Sequence, residues 1–283
     1  MKLVSFNHAG KSAYGLVRAD GYRLPPADFL SRHPDIVSVL RADALRELEQ
    51  VATASGTTVK AADTQALPVL PNPGKFICVG LNYKTHVAET KRDDSAYPAL
   101  FVRFADSLAA NGDLVLRPSF SERFDWEGEL AVVIGKGGRN ITQAEAFEHV
   151  AGYACFNDIT VRDWQRHTHQ WTPGKNFPGT GALGPWLVTA DEVPDVDALT
   201  LESRLNGEVM QHASLSDLIF TIPILLEYIS RFTPLSPGDV IATGTPGGVG
   251  DRRTPPVYMK EGDLTEVEIS GLGVLSNRIG TAA

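Results

Sequence analysis

The chain has 283 residues, of which 43% are hydrophobic and 21% are charged, and its formal net charge is −8. This composition is ordinary for a soluble globular protein, and the length allows one large domain, or one large and one small. The acidic balance, without a Lys/Arg cluster interleaved with aromatic residues, argues against nucleic acid as a partner. If such a protein binds an acidic substrate, it must concentrate positive charge locally, through a metal or a few lysines and arginines.

The two cysteines, Cys78 and Cys155, lie in apolar, strand-like runs. We therefore expect them to be small core residues in a reducing compartment and not a disulfide. The first residues show no signal-peptide pattern, and no apolar run approaches the ~18 residues of a membrane span. These features predict a cytoplasmic protein with no membrane partner.

Residues 1–70 are predicted to form a separate small α/β domain. Short strand-like pieces at residues 3–6 and 14–17 precede a helix over about residues 35–51, where apolar residues recur at helical spacing. This unit groups no reactive side chains, so we expect it to serve packing or dimerisation. A connector rich in Thr, Ala and Pro then leads into a second unit, residues 71–283.

Strand candidates dominate the second unit, and frequent glycines and prolines separate them. Helices are few and short: a capping-box pattern at residues 142–145 opens one, and residues 222–232 form another. Many irregularly spaced strands with few helices favour a β-rich roll or barrel over a doubly wound parallel sheet. The strand candidates are residues 76–80, 99–104, 129–135, 150–156, 183–189, 199–206, 239–243 and 265–270.

The most informative local pattern is Glu127-Gly128-Glu129, which runs directly into the apolar residues 130–134. This segment is typical of a buried strand, in which residues i and i+2 point to the same face. The two carboxylates would then lie side by side in apolar surroundings, where their repulsion requires a neutralising charge. Oxygen ligands favour a hard divalent cation: Mg²⁺, Mn²⁺ or Ca²⁺. An edge strand that exposes both acids to water is the alternative.

A third acid, Asp158, closes the apolar run 151–156 and could join the pair. Three carboxylates would leave about three positions of a six-coordinate Mg²⁺ open to water or substrate. An aspartate that follows a strand is, however, usually a turn residue or a helix N-cap. The position of Asp158 alone therefore does not make it a ligand.

His86 and Glu89 stand at positions i and i+3. In a helical turn both side chains lie on one face and can form a hydrogen bond. A carboxylate that holds one ring nitrogen fixes the histidine tautomer, so that the other nitrogen can accept a proton from water. An exposed helix with an incidental pair is the simpler alternative on spacing alone.

Three further polar residues follow Asp158. Arg162 and Gln165 come at helical spacing, and Lys175 lies in a glycine-bearing loop, residues 172–177. Such side chains bind carboxylates and stabilise developing negative charge. Solvated surface charge is the default alternative for this group.

Residues 244–250 form a Gly-rich loop. It lacks the GK[ST] ending of a P-loop and the strand-to-helix setting of a G-x-G-x-x-G motif, so we exclude a nucleotide site. We expect the loop to let backbone approach a small ligand, with Thr243 or Thr245 offering a hydroxyl. The absence of a G-x-S-x-G sequence argues against a serine hydrolase.

Several separated motifs, taken in order, resemble the fumarylacetoacetate hydrolase family, and the resemblance covers roughly residues 75–280. The motifs are residues 79–83 with His86 and Glu89, residues 125–135, residues 152–158 with Arg162, Asp163 and Gln165, Gly174-Lys175, and residues 183–186, 206–208 and 237–250.

The resemblance implies an α+β, β-rich catalytic domain of the mixed β-roll or barrel type, usually in a homodimer, preceded by a variable N-terminal segment. It also implies a Mg²⁺ or Mn²⁺ ion and a His–Glu pair on a mobile lid. The roles that it carries onto this chain are metal ligation by Glu127, Glu129 and Asp158, catalysis by His86, Glu89 and Lys175, and substrate contact by Arg162, Gln165 and Thr245.

The chain departs from the family pattern at two places near the expected substrate pocket. Arg103 stands where the family often has a lysine, and we take it as a further substrate contact. Asn176 and Pro178 stand where the family often has Ser and Asp. These departures bear on the identity of the substrate and not on the metal.

The sequence thus predicts a divalent-metal-dependent hydrolase that cleaves a C–C bond in a small 1,3-diketo acid, such as an acylpyruvate or fumarylpyruvate. His86, oriented by Glu89, would activate water, Lys175 and Gln165 would stabilise the oxyanion, and a pyruvate-type enolate would leave. The first alternative is oxaloacetate-type decarboxylation, or isomerisation or hydration of a 2-oxo acid, on the same metal site. The second is a metal-binding scaffold without activity.

Overall fold

The structure, a computed structural model, describes residues 1–90 and 95–282. These residues form the strands β1 Lys2–His8, β2 Lys11–Arg18, β3 Gly21–Leu24, β4 Thr57–Val59, β5 Gln65–Ala66, β6 Phe76–Gly80, β7 Ala99–Val102, β8 Leu108–Ala109, β9 Leu114–Arg117, β10 Phe124–Asp125, β11 Gly128–Ile134, β12 Val150–Asp158, β13 Thr160–Val161, β14 Gly181–Thr189, β15 Thr200–Leu205, β16 Glu208–Ser214, β17 Val240–Ala242, β18 Leu264–Ile269 and β19 Gly273–Thr281. The α-helices are α1 Ala27–Arg32, α2 Ile36–Arg41, α3 Leu45–Ser55, α4 Lys84–Thr90, α5 Arg162–Gln165, α6 Thr172–Lys175 and α7 Ile222–Phe232.

A 12-stranded sheet runs through the molecule in the order β4-β3-β2-β1-β14-β12-β11-β17-β6-β7, with β5 and β8 attached to β1 and β14. Most pairs are antiparallel, whereas β17 pairs with β6 and β8 with β14 in parallel. The strand-rich α+β fold is confirmed. Among the described strands, β4 and β7 end the sheet without pairing to each other, so the sheet is not a closed barrel.

A second sheet of five strands, in the order β16-β15-β18-β19-β9, covers one side of the large sheet. Side chains of β11 alternate between two hydrophobic cores: Leu130 and Val132 belong to the core that includes this second sheet, and Ala131 and Val133 to the other. A strand buried on both faces has a continuous apolar sequence, as β11 has. β11 is therefore a rigid central element, and Glu129 is fixed at its beginning.

The first 70 residues extend the large sheet. β1 pairs with β14 in the register Leu3↔Leu187, and Leu3 and Leu48 belong to the same core as Val133. The N-terminal strands and helices therefore share a hydrophobic core with β11, the strand that carries Glu129. The division into domains at about residue 70 stays a prediction.

The helix predicted over residues 35–51 is two helices, α2 and α3. Asp35 caps α2 through a hydrogen bond from the Ser38 amide, and Asp43 then takes a left-handed φ of 52°. Aspartate tolerates this conformation better than most residues, so it ends the first helix where the apolar spacing continues. The periodicity alone could not show this break.

Other local predictions have mixed outcomes. α7 forms over the predicted residues 222–232, but the pattern at residues 142–145 opens only a short 3-10 turn, Ala146–His149. The Thr142 hydroxyl there donates to the Glu145 carboxylate instead of capping backbone. Both cysteines are free and buried, and burial raises the pKa of each thiol. Among the described residues, no helix has both the length and the apolar character that a membrane crossing requires.

Candidate active site

The three predicted acids converge at one point. β11 and β12 are antiparallel with Gly128 opposite Asn157, and the Asp158 amide donates to the Glu127 carbonyl at 2.8 Å. This register brings Asp158 beside the two glutamates, so that one carboxylate oxygen from each lies within 4.8 Å of the others. All three side chains are buried, and β11 is an interior strand. The alternative of an exposed edge strand is therefore wrong.

Two of the acids are paired with buried cations. Lys175 Nζ lies 2.5 Å from Glu127 Oε2 and 2.5 Å from Asp158 Oδ2. Arg162 Nη1 lies 2.6 Å from Glu127 Oε1, and Arg103 Nε lies 2.5 Å from Asp158 Oδ1. Although burial disfavours the charged form, the charges of Lys175 and Arg162 lower the pKa of Glu127 to about 2. Burial also opposes the charge of Lys175, but Asp158 and Glu127 raise its pKa, so the lysine is protonated.

Glu129 has no such partner. Its carboxylate accepts one hydrogen bond, from the Gly244 amide at 2.9 Å, and no cationic side chain of the described residues pairs with it. Burial, and then the charges of Asp158 and Glu127, raise the pKa of Glu129 well above its usual value. An added positive charge would relieve this cost.

The donor set fits a divalent cation. Four buried carboxylates (Glu127, Glu129, Asp158 and the neighbouring Asp125) stand against three buried cations, Lys175, Arg162 and Arg103. The excess is negative, and carboxylate oxygens within coordinating distance of one another suit Mg²⁺, Mn²⁺ or Ca²⁺. The residues present could therefore hold one such ion at Glu127, Glu129 and Asp158.

A cavity of about 310 Å³ opens above these acids, a size that suits a small ligand. Glu127, Glu129, Arg162 and Lys175 line its floor, and His86 and Trp171 are among the residues of its walls. His86, Glu127 and Glu129 thus face the same cavity, whereas Asp158 lies beside the two glutamates and is not among the lining residues.

His86 and Glu89 form the predicted pair on α4. His86 Nδ1 lies 2.6 Å from Glu89 Oε1, and Glu89 Oε2 accepts the Gly248 amide at 2.9 Å. A carboxylate only accepts hydrogen bonds, so the ring hydrogen belongs on Nδ1 and Nε2 carries the lone pair. His86 is buried and lines the cavity, where this lone pair is available to take a proton.

The Gly-rich loop has a role within the protein that the sequence did not predict. Its amides bind the side chains of the site: Gly244 donates to Glu129, Gly248 to Glu89 and Gly250 to Asp125. Its approach to a small ligand stays a prediction. Gly244 and Gly248 have φ values of 101° and 106°, which other residues adopt at a cost. The loop therefore orients a candidate metal ligand and the partner of the candidate base together.

The side chains predicted to contact substrate also form hydrogen bonds with other groups of the protein. Arg162 Nε donates to Asp125 at 2.8 Å, and its Nη1 donates to Gln165 at 3.1 Å. Thr245 donates to the Gly128 carbonyl at 2.9 Å and accepts a hydrogen bond from Gln211. Arg162, Gln165 and Thr245 all line the cavity.

Arg103 lies behind the site. Its fully buried side chain binds Asp158, the Ile159 carbonyl at 2.7 Å and the Thr180 hydroxyl at 3.2 Å, and it is not among the residues that line the cavity. It therefore supports a candidate metal ligand from the far side. Asn176 also has a structural role. Its side-chain oxygen accepts the Phe104 amide and its Nδ2 donates to the Val102 carbonyl, which ties the end of α6 to β7.

Sequence reasoning missed several residues of the site. Asp125 precedes Glu127 by two positions, and the same alternation that paired the two glutamates could have included it. Gln211, which bonds to the Gly128 amide at 3.0 Å, comes from β16 and no local pattern indicates it. The cavity opening adds Arg166, Asp251 and Arg252, which only the fold brings together.

Comparison with known proteins agrees with this geometry. The family described as fumarylacetoacetate (FAA) hydrolase, C-terminal, matches residues 75–280. Oxaloacetate tautomerase FAHD2A, mitochondrial, from Bos taurus is 42% identical over 245 residues, which cover 82% of this chain and 78% of that protein. Oxaloacetate tautomerase YisK from Bacillus subtilis is 42% identical over 215 residues, 75% of this chain and 71% of YisK. The crystal structure of maleylpyruvate hydrolase from Sphingobium sp. SYK-6 with manganese(II) and pyruvate matches over 100% of both chains, with a TM-score of 0.82 and 27% identity.

We expect Mn²⁺ to stabilise the protein through Glu129. At a hundredfold excess over its dissociation constant, the ion should raise the melting temperature by roughly 5–10 °C relative to EDTA. Glu129→Gln should abolish this rise. In EDTA the variant should melt no lower than wild type, because it removes one of three mutually repelling carboxylates. Glu148→Gln, at the exposed ion pair with Lys136, is the control and should keep the full rise. A Glu129→Gln variant that still responds to Mn²⁺ would contradict the ligand set.

Arg103→Met should destabilise the fold, because it leaves the buried Asp158 without its guanidinium partner. Loss of one partner of a buried ion pair typically lowers the free energy of unfolding by about 3–5 kcal/mol, measurable by denaturant titration. Arg103→Lys keeps the charge and should lose less. If Arg103 instead contacts substrate, as the sequence suggested, Arg103→Met would raise KM with little change in stability.

Proposed function

Because this chain belongs to the fumarylacetoacetate hydrolase family, we propose that it is a divalent-metal-dependent enzyme that interconverts the keto and enol forms of oxaloacetate or a similar 2-oxo dicarboxylic acid. The observation that carries the proposal is the cavity that His86 shares with Glu127, Glu129 and Lys175, with Asp158 within 4.8 Å of the two glutamates. Enolisation needs a base beside C3 and positive charge beside the 2-oxo oxygen, and this cavity offers both. The names of the Bos taurus and Bacillus subtilis relatives support this reaction over C–C bond hydrolysis.

We assign Glu127, Glu129 and Asp158 to hold Mg²⁺ or Mn²⁺. When bound, the cation would polarise the 2-oxo group and offset the charge of the forming enolate. Mn²⁺ in the maleylpyruvate hydrolase structure, which also contains pyruvate, supports both the ion class and the 2-oxo acid.

His86 moves the proton in this proposal. Its Nε2 takes a hydrogen from C3 of the keto form as the C2–C3 double bond forms, and the imidazolium then returns a proton to the oxygen at C2. Glu89 holds Nδ1 throughout as a hydrogen-bond acceptor, which stabilises the imidazolium. Reversal of these steps gives ketonisation, so protons balance and no carbon–carbon bond breaks.

Lys175 supplies fixed positive charge. Its raised pKa keeps it protonated, so it is unsuited to act as a base. It lines the cavity floor between Glu127 and Asp158, where its charge stabilises negative charge that develops on the substrate. Gln165 and Thr245, which also line the cavity, are assigned to positioning the substrate carboxylate.

Hydrolysis of an acylpyruvate or fumarylpyruvate remains the second candidate, and the maleylpyruvate hydrolase neighbour favours it. The same base would then take a proton from water, hydroxide would attack the distal ketone, and the departing group would be the same type of enolate. Decarboxylation would need the enolate stabilisation but no attacking water. The three reactions differ in products, since only tautomerisation leaves the substrate carbon count unchanged.

The test is to add the enol form of oxaloacetate and follow its ultraviolet band in the presence of Mg²⁺ or Mn²⁺. We expect catalysed loss of the band without formation of pyruvate. His86→Gln should lower kcat about 10²–10⁴-fold while keeping the Mn²⁺-induced rise in melting temperature. His212→Gln, on the exposed face of β16, is the control. Pyruvate formed stoichiometrically from oxaloacetate, or two acids formed from an acylpyruvate, would transfer the assignment to decarboxylation or hydrolysis.

We also propose that the enzyme is a homodimer through β9. This strand ends the five-stranded sheet, and Leu114 and Leu116 project from one of its faces with 60% and 43% exposure. An edge strand with exposed apolar side chains is normally covered, and the family resemblance indicates a second copy of the chain.

Substitution of Leu114 and Leu116 by lysine should convert the dimer to a monomer in sedimentation velocity, because two charges cannot be buried unpaired at the interface. Val209→Lys is the matched control: Val209 is 47% exposed on β16, the strand at the opposite edge of the same sheet. A wild-type monomer, or a dimer that survives both lysines, would contradict the proposal. The cytoplasmic location stays a prediction, and the Bos taurus relative is mitochondrial by name.

A further inference from the structure

We propose that Arg252 determines substrate specificity by binding the distal carboxylate of a 2-oxo dicarboxylic acid. This inference rests on the proposed function, because it assumes that the 2-oxo end of the substrate lies at the cavity floor. Arg252 lines the opening of the same cavity, together with Arg166 and Asp251. The floor and the opening would thus hold the two ends of one small molecule.

The floor cations are already committed. Lys175 lies between Glu127 and Asp158, and Arg162 is bound by Asp125 and Glu127. Each is paired with two carboxylates of the protein at the 2-oxo end of the substrate, and neither is an unpaired cation for the distal carboxylate. A dicarboxylate therefore needs a further cation, and that cation must come from the walls or the opening of the cavity.

Of the two arginines at the opening, Arg252 forms the longer ion pair with a protein carboxylate. Arg166 forms a close ion pair with Asp251, which also accepts the Tyr258 hydroxyl at 2.8 Å. Among the described residues, the carboxylate that pairs with Arg252 is this same Asp251, at 3.5 Å from Nε. The Arg252 side chain is 34% exposed, and it lines the cavity. A planar guanidinium of this kind matches the two oxygens of a carboxylate.

Asp125 links the floor arginine to the segment that carries Arg252. Asp125 Oδ2 accepts Arg162 Nε at 2.8 Å and the Asp251 amide at 3.0 Å. One side chain therefore separates the floor arginine from the residue next to Arg252. This arrangement favours a four-carbon dicarboxylate over a long-chain acylpyruvate, whose apolar end would meet the basic opening.

The experiment compares oxaloacetate with its 4-methyl ester, which has the same enolisable C3 but no distal charge. Wild type should prefer oxaloacetate at least tenfold in kcat/KM. Arg252→Gln should lower kcat/KM for oxaloacetate about 10- to 100-fold, as expected for a lost charge-assisted hydrogen bond, and leave that for the ester unchanged. Arg252→Lys should retain part of the preference. Arg41→Gln, the same substitution at an exposed arginine ending α2, is the control and should behave as wild type.

A binding measurement separates failure of this inference from failure of the proposed function. With Mg²⁺ present, calorimetry should give about 10- to 100-fold weaker binding of malate to Arg252→Gln, and equal binding of lactate, which has no distal carboxylate. If wild type lacks tautomerase activity but malate binding depends on Arg252, the proposed reaction fails and the carboxylate subsite stands. If Arg252→Gln changes neither malate binding nor the preference for oxaloacetate, or weakens both ligands equally, the subsite assignment is wrong.

Discussion

The structure depends on an uncompensated negative charge held away from water. Four buried carboxylates meet only three buried cations, and Glu129 is the acid that remains without a cationic partner. Burial and the neighbouring acids raise the pKa of Glu129, and either a proton or a bound cation removes this cost. In our proposal a hard divalent ion supplies the missing positive charge, and through that ion the site favours a substrate with oxygen ligands.

The acids and the cations of the site come from different kinds of structural element. The acids come from adjacent antiparallel strands, β11 and β12, whose register is fixed by packing on both faces. The cations come from the segments that follow or flank strands: Arg103 after β7, Arg162 at the start of α5 and Lys175 at the end of α6. Ligand geometry is thus set by the sheet, whereas charge compensation depends on long-range packing of short segments.

This division explains what the sequence could predict. The i, i+2 spacing of Glu127 and Glu129 was sufficient to place both carboxylates on one face, because strand periodicity is local. Asp158 could not be assigned from spacing, since its role depends on the β11–β12 register. Arg103 looked like a substrate contact because it differs from the family pattern near the pocket, yet a pattern cannot tell whether a side chain points into a cavity or behind it. The partners of the glycine amides are likewise tertiary features, whereas the break between α2 and α3 at Asp43 is a local one that the apolar spacing does not show.

The glycine loop has one more consequence. Within seven residues, its backbone amides donate hydrogen bonds to the side chains of Glu129, Glu89 and Asp125. A Cβ at Gly248 would lie 2.2 Å from the Met210 carbonyl oxygen, and one at Gly250 would lie 1.9 Å from that of Val257. Gly248 and Gly250 therefore cannot be replaced by a residue with a side chain without moving the backbone. Arg252, two residues later, lines the same cavity with 34% of its side chain exposed and is not confined in this way. A lineage could exchange it to acquire new substrates while its proton-transfer residues, which the glycine amides hold, stayed unchanged.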